Sequence, residues 1–277
     1  FVTGVQTCAL PICCIVEDNK HNLWIGTSDG GLNYYDNASQ LYKNYLFNSG
    51  NLDVPFKDIK TVYVDEVQDR IYVGAHAGGM MVLHRKSGYI EYYNRHNSNL
   101  PSNNIYSIIS DGYGGLWVAS LEYLLHFDID KRNFTIVDVD GDGHKLQQYN
   151  RLLFCDSKKR IWAGGEMGIS VFNQVGTSLL PNTDFQIASV LKQAFVNCFY
   201  ETSSGYLWIG TRNGLFALKE SDKQFLQYTT ENGLPSNVIY GILEDAYGRL
   251  WISTNQGLSC LNSESGKFRN FTIMDGL

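Results

Sequence analysis

The chain has 277 residues, 44% of them hydrophobic, and a net charge of −6, enough apolar material for one large domain or two smaller ones. Acids and bases are interspersed, so no basic stripe exists to neutralise phosphates, and nucleic-acid binding is disfavoured. No run of about 18 apolar residues is present to cross a membrane as a helix. Its 27 glycines and 13% aromatics, set out as Gly-rich turns between short aromatic runs, point to an all-β repeat.

In chain order, the stretch from Val2 to Ile12 (VTGVQTCALPI) matches nothing downstream. It resembles the translated read-through of a sequencing-library adapter. A signal peptide is the competing reading: Cys8–Val16 is apolar, but no basic residue precedes it. Residues 1–12 are thus read as an assembly artefact and residues 13–277 as the folded fragment. Six cysteines, Cys8, Cys13, Cys14, Cys155, Cys198 and Cys260, supply no paired CxxC. They are read as buried free thiols, not zinc ligands.

Six variants of one motif follow: LWIGTSDGGL from Leu23, IYVGAHAGGM from Ile71, LWVAS from Leu116, IWAGGEMGI from Ile161, LWIGTRNGL from Leu207 and LWISTNQGL from Leu250. Their anchors, Trp24, Tyr72, Trp117, Trp162, Trp208 and Trp251, are spaced by 48, 45, 45, 46 and 43 residues. A period near 45 residues is that of a four-stranded propeller blade. A large aromatic repeated at one structural position fills the same hole between blades each time, so the anchors are read as packing residues.

Six residues before the anchors stand Asp18, Glu66, Asp111, Asp156, Thr202 and Asp245. The polar turn after each is a tight hairpin that leads from the first strand into the anchor strand. Six residues after the anchors stand Gly30, Gly78, Gly168, Gly214 and Gly257, with Tyr123 the exception. A glycine kept at one turn position implies a positive φ there. The fold expected is therefore all-β, six four-stranded antiparallel blades of a β-propeller.

The stretch Gly233-Leu234-Pro235-Ser236-Asn237 through Leu258, and its second copy from Asn99-Leu100-Pro101-Ser102-Asn103, resemble the two-component regulator propeller repeat. The resemblance extends over all six units. It implies the extracytoplasmic sensor of a hybrid two-component histidine kinase. In that setting seven-bladed propellers precede a membrane helix and a kinase, and oligosaccharides are common ligands. From it follow the expectations of a periplasmic location, an oligosaccharide or other small ligand, and a homodimer formed through the parent protein. A seven-bladed ring of which six blades are present is expected as well. No cofactor and no chemistry in this chain are expected. The segment Gln174–Gln193 departs from the pattern, being longer and lacking the GLPSN form.

In propellers, ligands meet the loops that lead into the first strand and those that join the second and third. The latter carry His76, Glu122, Glu166, Arg212, Asn213, Asn255 and Gln256, and the former Asn103, Asn104, Arg151, Asn197 and Asn237. They vary while the framework repeats, and their amides, carboxylates and guanidiniums suit sugar hydroxyls. The ligand candidates are His76, Asn104, Glu122, Arg151, Glu166, Arg212, Asn213 and Asn255. Asn103 and Asn237 are expected to cap backbone instead.

Asp138-Val139-Asp140-Gly141-Asp142-Gly143 begins like a calcium loop, but Tyr149 stands where a calcium-binding loop needs its glutamate. It is read as a solvated turn, and no metal is expected. Serine, histidine and aspartate residues exist, but nothing in the sequence places them together as a triad. Glu122 and Glu166 are the pair of carboxylates a glycosidase reading would use. A propeller glycosidase or lyase is the first alternative, and a protein-interaction platform the second.

Overall fold

The computed structural model describes residues 11–45, 56–137, 150–182, 191–219, 224–262 and 265–276. Cys8 and the Asp138–Gly143 motif lie outside these residues. The chain divides into two compact units at Val137. Three blades lie in each, and every blade is a four-stranded antiparallel sheet with its strands in sequence order.

In the first unit, blade 1 comprises β1 (Ile12–Glu17), β2 (Leu23–Thr27), β3 (Leu32–Asp36) and β4 (Leu41–Tyr45). Blade 2 comprises β5 (Ile59–Asp65), β6 (Arg70–Ala75), β7 (Gly79–His84) and β8 (Ile90–Tyr93). Blade 3 comprises β9 (Ile105–Ser110), β10 (Leu116–Ser120), β11 (Leu124–Asp128) and β12 (Asn133–Ile136).

In the second unit, blade 4 comprises β13 (Asn150–Cys155), β14 (Arg160–Gly165), β15 (Gly168–Val175) and β16 (Ser178–Pro181). Blade 5 comprises β17 (Val196–Glu201), β18 (Tyr206–Thr211), β19 (Gly214–Lys219) and β20 (Gln224–Tyr228). Blade 6 comprises β21 (Ile239–Glu244), β22 (Arg249–Thr254), β23 (Gly257–Asn262) and β24 (Lys267–Phe271). The protein is thus all-β, built of six four-stranded propeller blades. All six anchors lie on equivalent second strands. Among the described residues no helix is long and apolar enough to cross a membrane.

The core lies between blades. Side chains alternate along a strand, so one face of β6 (Ile71, Val73, Ala75) packs with Trp24 and Leu32 of blade 1. The other face presents Tyr72 to Ile105, Val118 and Phe127 of blade 3. The second unit repeats this: Leu207 and Ile209 join Trp162, while Trp208 joins Ile239, Ile242 and Ile252. Trp24, Tyr72, Trp162 and Trp208 therefore all face the blade that follows.

The residue six before the anchor closes the first hairpin, except in blade 2, where Asp65 does so in place of Glu66. Asp156 accepts from the backbone N–H groups of Lys158 (3.0 Å) and Arg160 (2.8 Å) and from the Trp162 indole N–H (2.8 Å). Asp245 does the same for Tyr247, Arg249 and Trp251. Asp18 does so for Lys20, Asn22 and Trp24. The carboxylate is a turn former and an indole acceptor at once.

Two sequence expectations need correction. The positive φ falls on Gly168, Gly214 and Gly257 as expected, but in blades 1 and 2 it falls on Gly31 and Gly79, not Gly30 and Gly78. Those turns are one residue longer, and Asp29 and Ala77 also adopt positive φ in them. Glycine is needed because a Cβ at Gly79 would meet the Tyr93 carbonyl at 2.1 Å, and at Gly257 the Phe271 carbonyl at 2.2 Å. In blade 3, Tyr123 closes the turn without a glycine, its carbonyl accepting from the Ser120 N–H (2.9 Å) and hydroxyl (3.0 Å). The second correction is that Cys13 is exposed and only Cys260 fully buried, although all five described thiols are free.

Candidate functional site

At the end of each blade where the inter-blade loop meets the second turn, every first strand opens with a β-bulge. Pairing skips Cys13, Lys60, Tyr106, Arg151, Asn197 and Tyr240. A bulge twists a strand and re-aims the extra side chain. Two sequence candidates, Arg151 and Asn197, owe their placement to this. Lys60, Tyr106 and Tyr240 occupy the same position and were missed. A one-residue irregularity of register leaves no mark in hydrophobic periodicity; only the alignment of strand starts across the repeats could have exposed it.

In the first unit, Asn104 and Glu122 meet in one cleft of about 420 Å³ with Arg95, Pro101, Ser102, Leu121 and Tyr123. The Asn104 side-chain carbonyl accepts from the Ala77 N–H (2.8 Å), and its backbone carbonyl from Leu121 N–H (3.2 Å). Asn104 thus ties the second turns of blades 2 and 3 to the strand it begins. Glu122 is exposed, and no cation among the described residues pairs with it. Nor, among the described residues, does any carboxylate pair with Arg95, whose backbone N–H donates to the Asn103 side-chain oxygen (2.8 Å). Asn237 likewise accepts from Thr230 N–H (2.8 Å), so both asparagines cap backbone as expected. His76, half exposed, stands 3.8 Å from Asp58, which pairs more closely with Lys60 (2.7 Å).

In the second unit, Arg151 and Glu166 form an ion pair at 2.7 Å. The Arg212 guanidinium lies 3.7 Å above the Phe195 ring. Asn213 is engaged through its backbone, its N–H donating to Thr211 Oγ1 (2.9 Å) and its carbonyl accepting from Gln227 (2.9 Å). Asn197 donates across to the Ile239 carbonyl of blade 6 (2.7 Å), a structural clamp. Asn255 and Gln256 are exposed on the last second turn.

The electrostatics mark structure more than catalysis. Burial pushes the Cys14 and Cys198 thiols up to about 12, so they are poor nucleophiles. Burial opposes the ionisation of Asp245, but the Trp251 indole and the backbone and guanidinium of Arg249 outweigh it and hold the carboxyl well below its ordinary value. The cleft beside Glu122 offers a carboxylate, a guanidinium and an amide at solvent. That set suits hydrogen bonding to hydroxyls and to a charged group.

The sequence pattern of the family Two component regulator propeller matches residues 9–29, 99–122, 191–213 and 233–256. A histidine kinase from Formosa agariphila is 26% identical over 169 residues, 58% of this chain and 12% of the kinase. Among solved structures, two extracellular domains assigned to hybrid two component systems of B. thetaiotaomicron share the fold. One has a TM-score of 0.72 at 21% identity, covering 95% of this chain and 35% of that one. The other has a TM-score of 0.75 at 19% identity, covering 98% and 34%. Virginiamycin B lyase from Staphylococcus aureus matches at a TM-score of 0.72 and 14% identity, covering 95% of this chain and 84% of the lyase. The chain spans about a third of the length of the extracellular domains it matches and 12% of the kinase. Its matched segments, two of which carry the Leu-Pro-Ser-Asn motif, are similar to the two-component regulator propeller repeat.

Proposed function

We propose that the chain is the ligand-sensing propeller module of a periplasmic hybrid two-component sensor histidine kinase. It binds an oligosaccharide, carries out no chemistry itself and regulates transcription through the parent protein. The observation that carries this is the family match together with the cleft of blades 2 and 3, where Arg95 and Glu122 take no ion-pair partner among the described residues and stand beside Asn104, whose side chain is fixed by Ala77 N–H. Polar groups without protein partners, held by elements that cannot collapse around them, are what a hydroxyl-rich ligand requires. The Arg151–Glu166 pair and Arg212 are the corresponding groups of the second unit.

The virginiamycin B lyase likeness keeps the enzyme reading as the competitor, since one fold serves unrelated functions. Calorimetry of the purified chain across a panel of glycan fragments, with chromatography of the mixtures afterwards, separates the two. Binding with unaltered glycan, weakened by Glu122→Gln, is the expected result. Turnover abolished by Glu122→Gln or Glu166→Gln would establish the enzyme instead.

A further inference from the structure

Blade 2 breaks the repeat at two linked positions, and the break opens a second cleft at the opposite end of the blades. In blades 4 and 6 an arginine two residues before the anchor spends its Nε on the turn aspartate: Arg160 on Asp156 (2.5 Å) and Arg249 on Asp245 (2.7 Å). The same oxygen accepts the indole N–H of the anchor. Blade 2 has the arginine, Arg70, but its hairpin is one residue longer: Asp65, opposite Arg70, accepts from the Val67 and Gln68 N–H groups (3.0 and 2.9 Å), and Tyr72 stands in place of the tryptophan. Glu66 is taken by Arg85 Nη2 (2.6 Å) and by the Asn19 N–H of blade 1 (2.8 Å). Arg70 is thereby released: no carboxylate among the described residues lies within ion-pair distance of it. The Tyr72 hydroxyl is buried against the Arg70 guanidinium, its hydrogen-bonding neighbour, in a geometry short of a full hydrogen bond.

Both donors line a cleft of about 220 Å³ between blades 2 and 3, with Arg132 on its other lip. Two carboxylates line it, Asp130 and Glu91, and Glu91 is already committed. It accepts from His84 Nε2 (2.7 Å) and the Tyr93 hydroxyl (2.7 Å), with Arg132 3.6 Å away. The two guanidiniums and the Tyr72 hydroxyl still carry more N–H and O–H donors than Asp130, exposed at the rim, can accept. A guanidinium fork matches a planar or tetrahedral oxyanion.

We propose that this cleft binds an oxyanion, a carboxylate or sulfate borne by a ligand about the size of one sugar ring, with Arg70 and Arg132 as its cations and Tyr72 as hydroxyl donor. The site is independent of the loop-end cleft around Glu122.

Calorimetry of the full chain with D-glucuronate, D-glucose 6-sulfate and D-glucose tests it. At least one anionic probe should bind about tenfold more tightly than glucose, and whichever binds identifies the oxyanion. Arg70→Gln and the exposed Arg132→Gln should each weaken that probe severalfold. Arg132→Gln keeps the test decisive if Arg70→Gln misfolds, as a circular-dichroism melt would reveal. Equal affinity for glucose, no binding of either anionic probe, or anion binding indifferent to both arginine variants would overturn the proposal.

Discussion

Blades 1 and 3 belong to the same unit, and their first strands place an isoleucine at the same register. Ile15 pairs with Ile25 of the anchor strand, and Ile108 with Val118. Ile108 is 3% exposed, packed in the cluster shared with blade 2, whereas Ile15 is 56% exposed. Blade 6 shows the other side of the same rule. Ile242, facing blade 5, is 5% exposed, while Leu243, facing away, is 67% exposed. The strands are equally apolar and equally well paired. What differs is whether a neighbouring sheet covers the face, so each blade draws its stability from the sheets beside it and not from its own hydrogen bonds.

That contrast is sharpest in a pair of substitutions. Ile108→Ala should cost about 2–5 kcal/mol by opening a cavity, and Ile15→Ala less than about 0.5 kcal/mol, both read from denaturant midpoints. Equal costs would show that another surface covers Ile15 in solution and would erase the distinction between the blades. Gly214→Ala comes next. Its φ of +121° and the Tyr228 carbonyl 2.6 Å from the added Cβ should cost about 1–3 kcal/mol. Gly266, with φ +65° and open space around it, should lose only about 1 kcal/mol on the same change. Comparable losses at the two would show that dihedral strain, not the approach of the fourth strand, sets the requirement.

The turn carboxylates give the contrast a pH dependence. Burial works against ionised Asp18, but the side chain and backbone of Asn22, with Lys20 and Trp24, prevail and lower it below its ordinary 3.8; Asp245 is lowered likewise. A carboxyl with a depressed folded pKa contributes stability above its unfolded value, and that stability is lost as pH falls through the folded pKa. Melting temperature should thus be insensitive to these groups between about pH 5 and 7 and fall below about pH 4. Asp18→Asn should flatten part of that fall; an unchanged acid limb would deny the turn its role.

The smallest expected effect concerns blades 4 and 5. Asp156 accepts the Trp162 indole, but the Thr202 hydroxyl bonds Tyr206 and Ser204 instead, and the Trp208 indole N–H is buried without a partner. Thr202→Asp should restore the acceptor and raise stability by about 1 kcal/mol, measured by calorimetry. A loss would place repulsion from Glu244, bonded to neighbouring Ser203, above the gain.

Repetition carried the fold into view before any coordinates. Six anchors at a steady period mean six copies of one supersecondary unit, because a hole of one shape recurs wherever one sheet packs on the next. The polar residue six before the anchor was legible as a turn former for the same reason, save in blade 2, where an extra hairpin residue passes the role from Glu66 to Asp65. Its second role, as acceptor for the indole, depends on a side chain six residues away returning over the hairpin, and no spacing rule contains that. The glycine expected at position 30 belonged at 31 because an extra turn residue changes which residue needs the left-handed region.

The candidate sites divide along the same line. Residue type and loop position singled out Asn104, Glu122, Arg151 and Glu166. The tertiary structure decided that Asn104 and Glu122 share a cleft, that Arg151 and Glu166 neutralise each other, and that Asn197 serves a backbone carbonyl. It alone revealed Arg70. In sequence that arginine stands two before its anchor as Arg160 and Arg249 do, and its freedom shows only once Glu66 is seen held by Arg85 and Asp65 by the hairpin backbone. Local pattern determines which chemical groups a position offers; which of them remain unpaired is settled by partners distant in the chain, and that is where binding chemistry resides.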